Sequence, residues 1–410
     1  MIKNAIYAQS GGVTAVINAS ACGVIQTARE HSQHIGNVFA AQDGIIGALH
    51  ENLIDTSLES DEAIAQLLHT PAGAFGSCRY KLKDHGEEYT RLLEVFKAHN
   101  IGYFFYNGGG DSQDTANKIA KMSEAMNYPI TCIGIPKTVD NDLPLTDNCP
   151  GFGSVAKYVA ISTMEAGFDV ASMAASSTKV FILEVMGRHA GWIAASSGLA
   201  SQKPGEPPHI ILFPEVPFNQ AEFLQRVSDC VKEYGYCVIV VSEGLRNEQG
   251  EFMSDAGIRD AFGHAQLGGV APVIARIIKS ELNLKYHWAV ADYLQRSARH
   301  IASLVDVEQA YALGKAAVEL AISGHNAVMP IIVREQDSPY RWSISHVPLA
   351  DVANQEKKLP DNFISSDGMG ISPECRKYLE PLILGEAYPP YTNGLPNYVR
   401  LSNQKVAKKL

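Results

Sequence analysis

A single pattern recurs along this chain: a short apolar run ends in glycine or a polar residue and hands over to a helical segment or a polar loop. "NAIYAQSGG" precedes "VTAVINASACGVIQTARE", and "IGYFFYNGGGDS" precedes "QDTANKIAKMSEAMN". The arrangement returns at "PITCIGIPKTVDND", "KVFILEVMGR", "HIILFPE" and "CVIVVSEG". Continuous apolar strands alternating with helices predict an α/β protein whose mainly parallel sheets are covered on both faces. In such sheets ligands bind beyond the carboxyl ends of the strands. The glycines and charged residues of this pattern lie at those ends.

At 410 residues the chain exceeds one ordinary hydrophobic core, so two domains are expected. Glycine and proline interrupt the pattern at "DNCPGFGS", near residue 150. The expected division is 1–150, completed by about 297–345, then 151–296, with 346–410 as a C-terminal extension. A helix from about Asp306 to Ser323 returns the chain to the first domain, and the tail "YPPYTNGLPNYVRLSNQKVAKKL" reads as an extended wrap with a basic tip. A net charge of -10 argues against nucleic acid or an anionic membrane as partner, so any basic ligand site must be local. No stretch reaches the roughly 20 apolar residues of a membrane span. The seven cysteines show no CxxC pairing and suit reduced thiols in the cytoplasm. A zinc site at Cys230 and Cys237 is not expected.

Several strand ends carry groups suited to phosphate and polyol chemistry. Gly11 and Gly12 form a turn directly before a helix, in neither the GxGxxG nor the P-loop pattern. Alone they fit a tight turn as well as a phosphate site. "NGGGDSQDTA" is a second glycine turn at a helix N-terminus, a place built for an anion, yet it carries the carboxylate of Asp111. "GIPKTVDND" is more specific. Lys137, Asp140 and Asp142 follow a strand within six residues, and phosphoryl transfer to an alcohol needs a base beside the hydroxyl and positive charge beside the transferred group. An aspartate that merely turns the chain describes Asp142 better than Asp140. Arg188 in "EVMGR" suits a phosphate oxygen, and Glu243 in "VVSEG" suits bridging sugar hydroxyls or a cap. Tyr293, Arg296 and Arg299 in "YLQRSAR" suit a second phosphate, with an exposed helix face as the alternative for Arg299.

Taken in order, "SGG", "GSCR", "GGGDS", "PKTVDND", "EVMGR", "FPE", "SEG" and "YLQR" resemble the phosphofructokinase family from Ser10 to at least Arg296. The tail "PLILGEAYPPYTNGLPNYVRL" is similar to that of its pyrophosphate-dependent members. The resemblance implies two Rossmann-like domains in the phosphofructokinase fold, magnesium, and transfer of a phosphoryl group to the 1-hydroxyl of fructose 6-phosphate. It implies that Asp140 is the base and that Thr138 and Asp142 lie beside the sugar. Lys179, Met186, Gly187, Arg188, Glu243, Tyr293 and Arg296 fall at sugar-phosphate positions. Lys179 matches a basic residue that the family donates across a subunit interface, which implies a homodimer. Gly11, Gly12, Arg79, Lys81, Gly109 and Ser112 belong with the donor phosphate, and Asp111 is the implied carboxylate for the metal.

The same resemblance accounts for the carboxylate in the glycine turn. ATP-using relatives have GGDG, whose last glycine leaves room for the nucleotide's α-phosphate; this chain has Gly110 and Asp111. A carboxylate about 4 Å from a phosphate charge repels it by about 4 kcal/mol at an effective dielectric of about 20, so Asp111 reads as a filter against ATP. Lys137 stands where those relatives have glycine and can neutralise pyrophosphate in the transition state. His287, with Lys285 nearby, replaces an arginine, Tyr293 replaces a histidine, and "SAR" replaces paired glycines, changes that leave room for sedoheptulose 7-phosphate as acceptor. The competing readings are an ATP-dependent sugar-phosphate kinase, a non-catalytic regulatory subunit, and a nicotinamide oxidoreductase. The last lacks a dinucleotide fingerprint.

Overall fold

In this computed structural model, which describes residues 2–82, 86–259, 265–267 and 269–410, strands and helices alternate from the start. The first stretch runs β1 (Lys3–Gln9), α1 (Ile17–Glu30), β2 (Ile35–Ala41), α2 (Ile45–Leu49), β3 (Leu53–Asp55), α3 (Asp61–Ala65), α4 (Glu87–Ala98), β4 (Ile101–Gly108), α5 (Gly110–Ala125) and β5 (Thr131–Pro136). The second runs α6 (Phe152–Met173), β6 (Val180–Val185), α7 (Trp192–Ser196), β7 (Ile210–Leu212), α8 (Gln220–Tyr234), β8 (Cys237–Ser242), β9 (Asp255–Arg259), β10 (Ala265–Leu267), α9 (Val270–Leu282), β11 (Tyr286–Val290) and α10 (Asp292–Ser297). The chain then adds α11 (Leu304–Ile322), β12 (Val328–Asp337), β13 (Tyr340–Pro348) and α12 (Pro373–Leu379).

Two compact units result. The first comprises Met1–Gly153, Ser297–Glu356 and Gly385–Leu410, the second Ser154–Arg296 and Lys357–Leu384. Residues 346–410 therefore do not form one extension. Trp192 Nε1 donates to Lys357 O at 3.0 Å, and Arg376 donates to the carbonyls of Gly198 and Ser201, which seats the middle of that stretch on the second unit. Its last residues pair with β3 in the first: Asp55 N donates to Gln404 O and Val406 N to Leu53 O, both at 2.9 Å. The wrap expected of the tail thus covers a strand edge whose backbone groups otherwise face outward.

The first unit is a seven-stranded sheet in the order β13-β12-β5-β4-β1-β2-β3. Its centre is parallel, and β3 and β13 pair antiparallel at the two edges. Successive residues of a strand point to opposite faces. Ile6, Ala8, Phe104 and Tyr106 accordingly join the core with Leu92 and Phe96 of α4. Ala5, Tyr7 and Phe105 join the core with Val24 of α1 and Leu313 of α11. Each large side chain buried there stabilises the fold by roughly 1.5–3 kcal/mol. The second unit holds a parallel sheet in the order β11-β6-β8-β7. Val180, Ile182, Ile239 and Val241 pack against Phe223 and Val227 of α8 and Ile274 and Ile278 of α9. In each sheet the motif-bearing strands are neighbours, β5-β4-β1 in one and β11-β6-β8-β7 in the other.

Candidate active site

In the first unit the glycine turn after β1 is braced by the "GSCR" segment. Ser10 bridges Cys78 in parallel, Gly11 N donates to Cys78 O at 2.9 Å, and Ser77 Oγ donates to Gly11 O at 2.8 Å. This carries the exposed Arg79 and Lys81 to the loop that holds Gly11 and Gly12. Gly11 has φ +74°, a left-handed conformation that costs an ordinary residue roughly 1–2 kcal/mol. Lys137 reaches the same loop from the end of β5. It is 3% exposed, and its ammonium donates to Gly12 O at 2.6 Å. A fixed positive charge therefore stands at the turn.

The neighbouring strand β4 delivers the second turn. Gly109 caps α5 without a side-chain bond, and Asp111 lies in the first helical turn, where N–H groups and the helix dipole favour negative charge. Gly108 O accepts from Lys137 N at 3.2 Å and from the buried Gln113 Nε2 at 2.8 Å, so the ends of β4 and β5 are tied together. A Cβ on Gly108 would meet Ser112 Oγ at 2.1 Å, whereas one on Gly110 would meet nothing within 4 Å. The turn is tight at Gly108 and open at Gly110. Asp111 Oδ1 is 3.3 Å from Lys81 Nζ, with side chains 37% and 44% exposed. The bare repulsion assigned to Asp111 from the sequence is therefore reduced, because its charge is partly neutralised and screened by water.

Between Lys137 and Asp142 the backbone is fixed by local bonds. Asp140 N donates to Thr138 Oγ1 at 3.1 Å, and Thr138 bridges Gly151. The residue that turns the chain is Asn141 rather than Asp142: it is fully buried at φ +54°, and its Oδ1 accepts from Cys149 N at 2.9 Å. Asparagine tolerates this region because its short side chain bonds to nearby backbone. Asp140 and Asp142 flank it, both half-buried.

Among the described residues no group of three His, Cys, Asp or Glu side chains could hold a metal ion. Magnesium keeps most of its shell as water and phosphate oxygens and needs only one or two protein carboxylates. The carboxylate of Asp111, in the first turn of α5, fits that mode.

In the second unit the turns after β6 and β8 interlock. Gly187 has φ +127°, and a Cβ there would lie 2.7 Å from Ala190 O; one on Gly244 would lie 2.1 Å from Arg188 O. Ser242 Oγ donates to Gly187 O at 2.5 Å, and Gly187 N donates to Glu243 Oε1 at 3.3 Å. Met186 N donates at 3.3 Å to Gln295 Oε1, and the buried Gln295 is held in turn by Asp292 O at 2.9 Å. "MGR", "SEG" and "YLQR" are thereby one cluster. Burial pushes the Glu243 carboxyl above its ordinary range, against the opposing pull of the Arg188 guanidinium and the Gly187 N–H. Arg188 Nε is buried with no hydrogen-bond partner among the described residues. Left so, a buried donor costs roughly 1–3 kcal/mol, and an anionic ligand would remove that cost. The Arg296 guanidinium lies 3.9 Å from the ring centre of the exposed Tyr293.

Lys179 and Arg299 complete the basic residues singled out from the sequence. Lys179 precedes β6 and so lies a strand's length, roughly 20 Å, from the "MGR" turn of its own chain; its ammonium donates to Ala174 O. Arg299 is neither a phosphate ligand nor an exposed helix face. It is fully buried, donating to the carbonyls of Leu68 and Ala387, and burial pushes its pKa down to about 10. Ser77, Gln295 and Glu215 were not singled out by sequence, although each lies inside a quoted motif. Glu215 accepts from Gly191 N at 2.8 Å, and burial pushes its carboxyl up.

The phosphofructokinase family model matches residues 4–321, and this chain belongs to the phosphofructokinase family. Its members are phosphotransferases, and the chain is an enzyme of that class. It is 64% identical to the pyrophosphate--fructose 6-phosphate 1-phosphotransferase of Halomonas elongata, over 99% of this chain and 98% of that one. It is 65% identical to the chain in a crystal structure of pyrophosphate-dependent phosphofructokinase from Marinobacter aquaeolei, with a TM-score of 0.93 over 100% of this chain and 98% of that one. A second such structure, from Nitrosospira multiformis, is 62% identical with a TM-score of 0.93, covering 100% and 99%.

Proposed function

We propose that this enzyme transfers a phosphoryl group reversibly from pyrophosphate to the 1-hydroxyl of fructose 6-phosphate, giving fructose 1,6-bisphosphate and orthophosphate. The observation that carries the reading is the donor turn: Lys137 is buried on Gly12 O, and Asp111 and Lys81 pair at the first turn of α5, where ATP-using relatives have glycine. These side chains suit a compact donor with charge at both ends and leave no clear seat for a nucleotide's α-phosphate.

In the forward direction Asp140 accepts the proton of the sugar 1-hydroxyl as the bond to phosphorus forms. Lys137 faces the donor and stabilises charge on the departing orthophosphate. The glycine turns at Gly11, Gly12 and Gly109 let the donor approach the backbone closely, the Ser112 hydroxyl lies beside it, and Arg79 adds a cation. Arg188 and Arg296 hold the 6-phosphate, while Glu243 and Thr138 bond the sugar hydroxyls. In reverse, protonated Asp140 returns its proton to the leaving sugar oxygen. Asp111 is the protein carboxylate that would hold magnesium bound with pyrophosphate, and the ion would supply screening of the phosphate charges there.

The proposed assembly is a homodimer in the cytoplasm. Lys179 stands far from its own "MGR" turn, and Phe168, Trp288 and Leu294 expose 72%, 44% and 66% of their surfaces, apolar side chains that an interface would cover. Sedoheptulose 7-phosphate is a second acceptor to be tried beside fructose 6-phosphate. The reverse reaction tests the chemistry. Fructose 1,6-bisphosphate and orthophosphate should yield pyrophosphate; failure to form it, with ADP instead supporting ATP formation, would overturn the reading.

A further inference from the structure

We infer that Lys81 governs donor binding by acting through Asp111, neutralising and fixing that carboxylate, rather than by binding pyrophosphate itself. The inference rests on the pyrophosphate reading above. The first turn of α5 is the positive end of a helix of 16 residues, so the Asp111 carboxylate and a donor phosphate compete for the same end. An unneutralised Asp111 would repel a donor carrying several negative charges. The structure places an ammonium against it: Lys81 Nζ is 3.3 Å from Asp111 Oδ1.

Lys81 reaches that position from an anchored segment. Three residues before it, Cys78 bridges Ser10 and accepts from Gly11 N at 2.9 Å, so the approach of Lys81 is set by the same bonds that shape the first glycine turn. The Thr115 hydroxyl donates to Asp111 O at 2.9 Å, which holds the residue's backbone within the helix. The pair as a whole is neutral. The donor loop then presents Lys137 as its buried cation, without a competing net charge from the α5 turn. Lys81 is a positioning residue on this account.

Direct binding and action through Asp111 make opposite forecasts for a double variant. Removing Lys81 from the unaltered enzyme leaves the Asp111 carboxylate unneutralised; removing it where Asp111 is already Asn leaves no carboxylate to unmask. The test uses the full-length protein, its Lys81→Met and Asp111→Asn variants and the double variant, at saturating fructose 6-phosphate and magnesium, with pyrophosphate varied. Lys81→Met should raise the KM for pyrophosphate about tenfold, a coupling of ordinary size for paired charges, while kcat and the KM for fructose 6-phosphate change less than about twofold. In the Asp111→Asn background, whatever KM that single variant has, adding Lys81→Met should change it less than about threefold. Lys81→Arg should keep the wild-type value, and circular dichroism checks that each variant is folded. A rise of about tenfold on adding Lys81→Met to Asp111→Asn would overturn the inference and make Lys81 a direct phosphate ligand. Absence of any pyrophosphate turnover in the unaltered enzyme would instead overturn the proposed function on which the inference stands.

Discussion

Asp140 is held by its own loop before any substrate arrives, with its N–H on Thr138 Oγ1 at 3.1 Å and the buried Asn141 turning the chain beside it. An alcohol becomes far more acidic as it attacks phosphorus, so the base need only be well placed and able to take the proton late. Asp140→Asn keeps the shape and loses that ability, and turnover should fall roughly 100-fold or more in both directions, with a much smaller change in the KM for fructose 6-phosphate. Near-normal turnover in that variant, with loss in Asp142→Asn, would exchange their roles. His209 offers a separate test of stability. It is 8% exposed, its Nδ1 accepts from Val238 N at 3.0 Å, and its pKa is pushed down to about 4, chiefly by burial, against the Gly205 carbonyl and with the help of Arg226. The unfolded chain takes up a proton near 6.5 and the folded one does not. The contribution is therefore complete above about pH 6.5 and lost as pH falls toward about 4, amounting to about 3 kcal/mol. Urea midpoints at pH 7.5 and 4.5 should differ less in His209→Asn, which retains an acceptor for Val238, than in the parent. At this scale the sequence displayed the charged residues at strand ends, because their chemistry is local. It did not display that Arg299 is buried or that Asp111 has a partner 30 positions earlier, since burial and long-range pairing depend on the rest of the fold.

Strands β1, β4, β5, β6 and β8 were legible as apolar runs because burial on both faces leaves no polar alternation to disguise them. The hairpin of β12 and β13 was not. Pro330 inside the run argues against a central strand, and β13 alternates between half-buried and exposed residues. The structure resolves the conflict by pairing β12 with β5 only at Val328 and Ile133, while β13 carries the long ladder. The interlocked turns after β6 and β8 also escaped a linear reading, because their fit is between backbones. They yield a paired prediction. Gly244→Ala would push a methyl against Arg188 O, at a cost of roughly 1–3 kcal/mol, and should raise the KM for fructose 6-phosphate about tenfold or more. Gly110→Ala, which faces open space, should leave both the melting temperature and that KM near their starting values. Equal effects of the two substitutions on the sugar phosphate would show that the turn contact does not set the position of Arg188.

For the whole molecule, order of motifs carried more than any one of them. Each glycine turn alone fits many α/β proteins, but eight motifs in sequence fit one family, and the family model spans residues 4–321. The division of the chain was harder to read, because residues 346–410 are shared between two units by contacts that no local composition announces. Assembly belongs to this scale as well. If Lys179 serves a partner's sugar phosphate, sedimentation should give twice the 44.4 kDa chain mass, and mixing Lys179→Ala with Arg188→Ala subunits should restore part of the activity lost in each. A monomer with full activity would remove that role for Lys179.

The central claim is the identity of the phosphoryl donor. It is tested most directly by offering pyrophosphate and ATP separately to the purified enzyme with fructose 6-phosphate and magnesium, and following formation of fructose 1,6-bisphosphate. Turnover with pyrophosphate and none with ATP is the expected result; turnover with ATP equal to or above that with pyrophosphate would contradict the account.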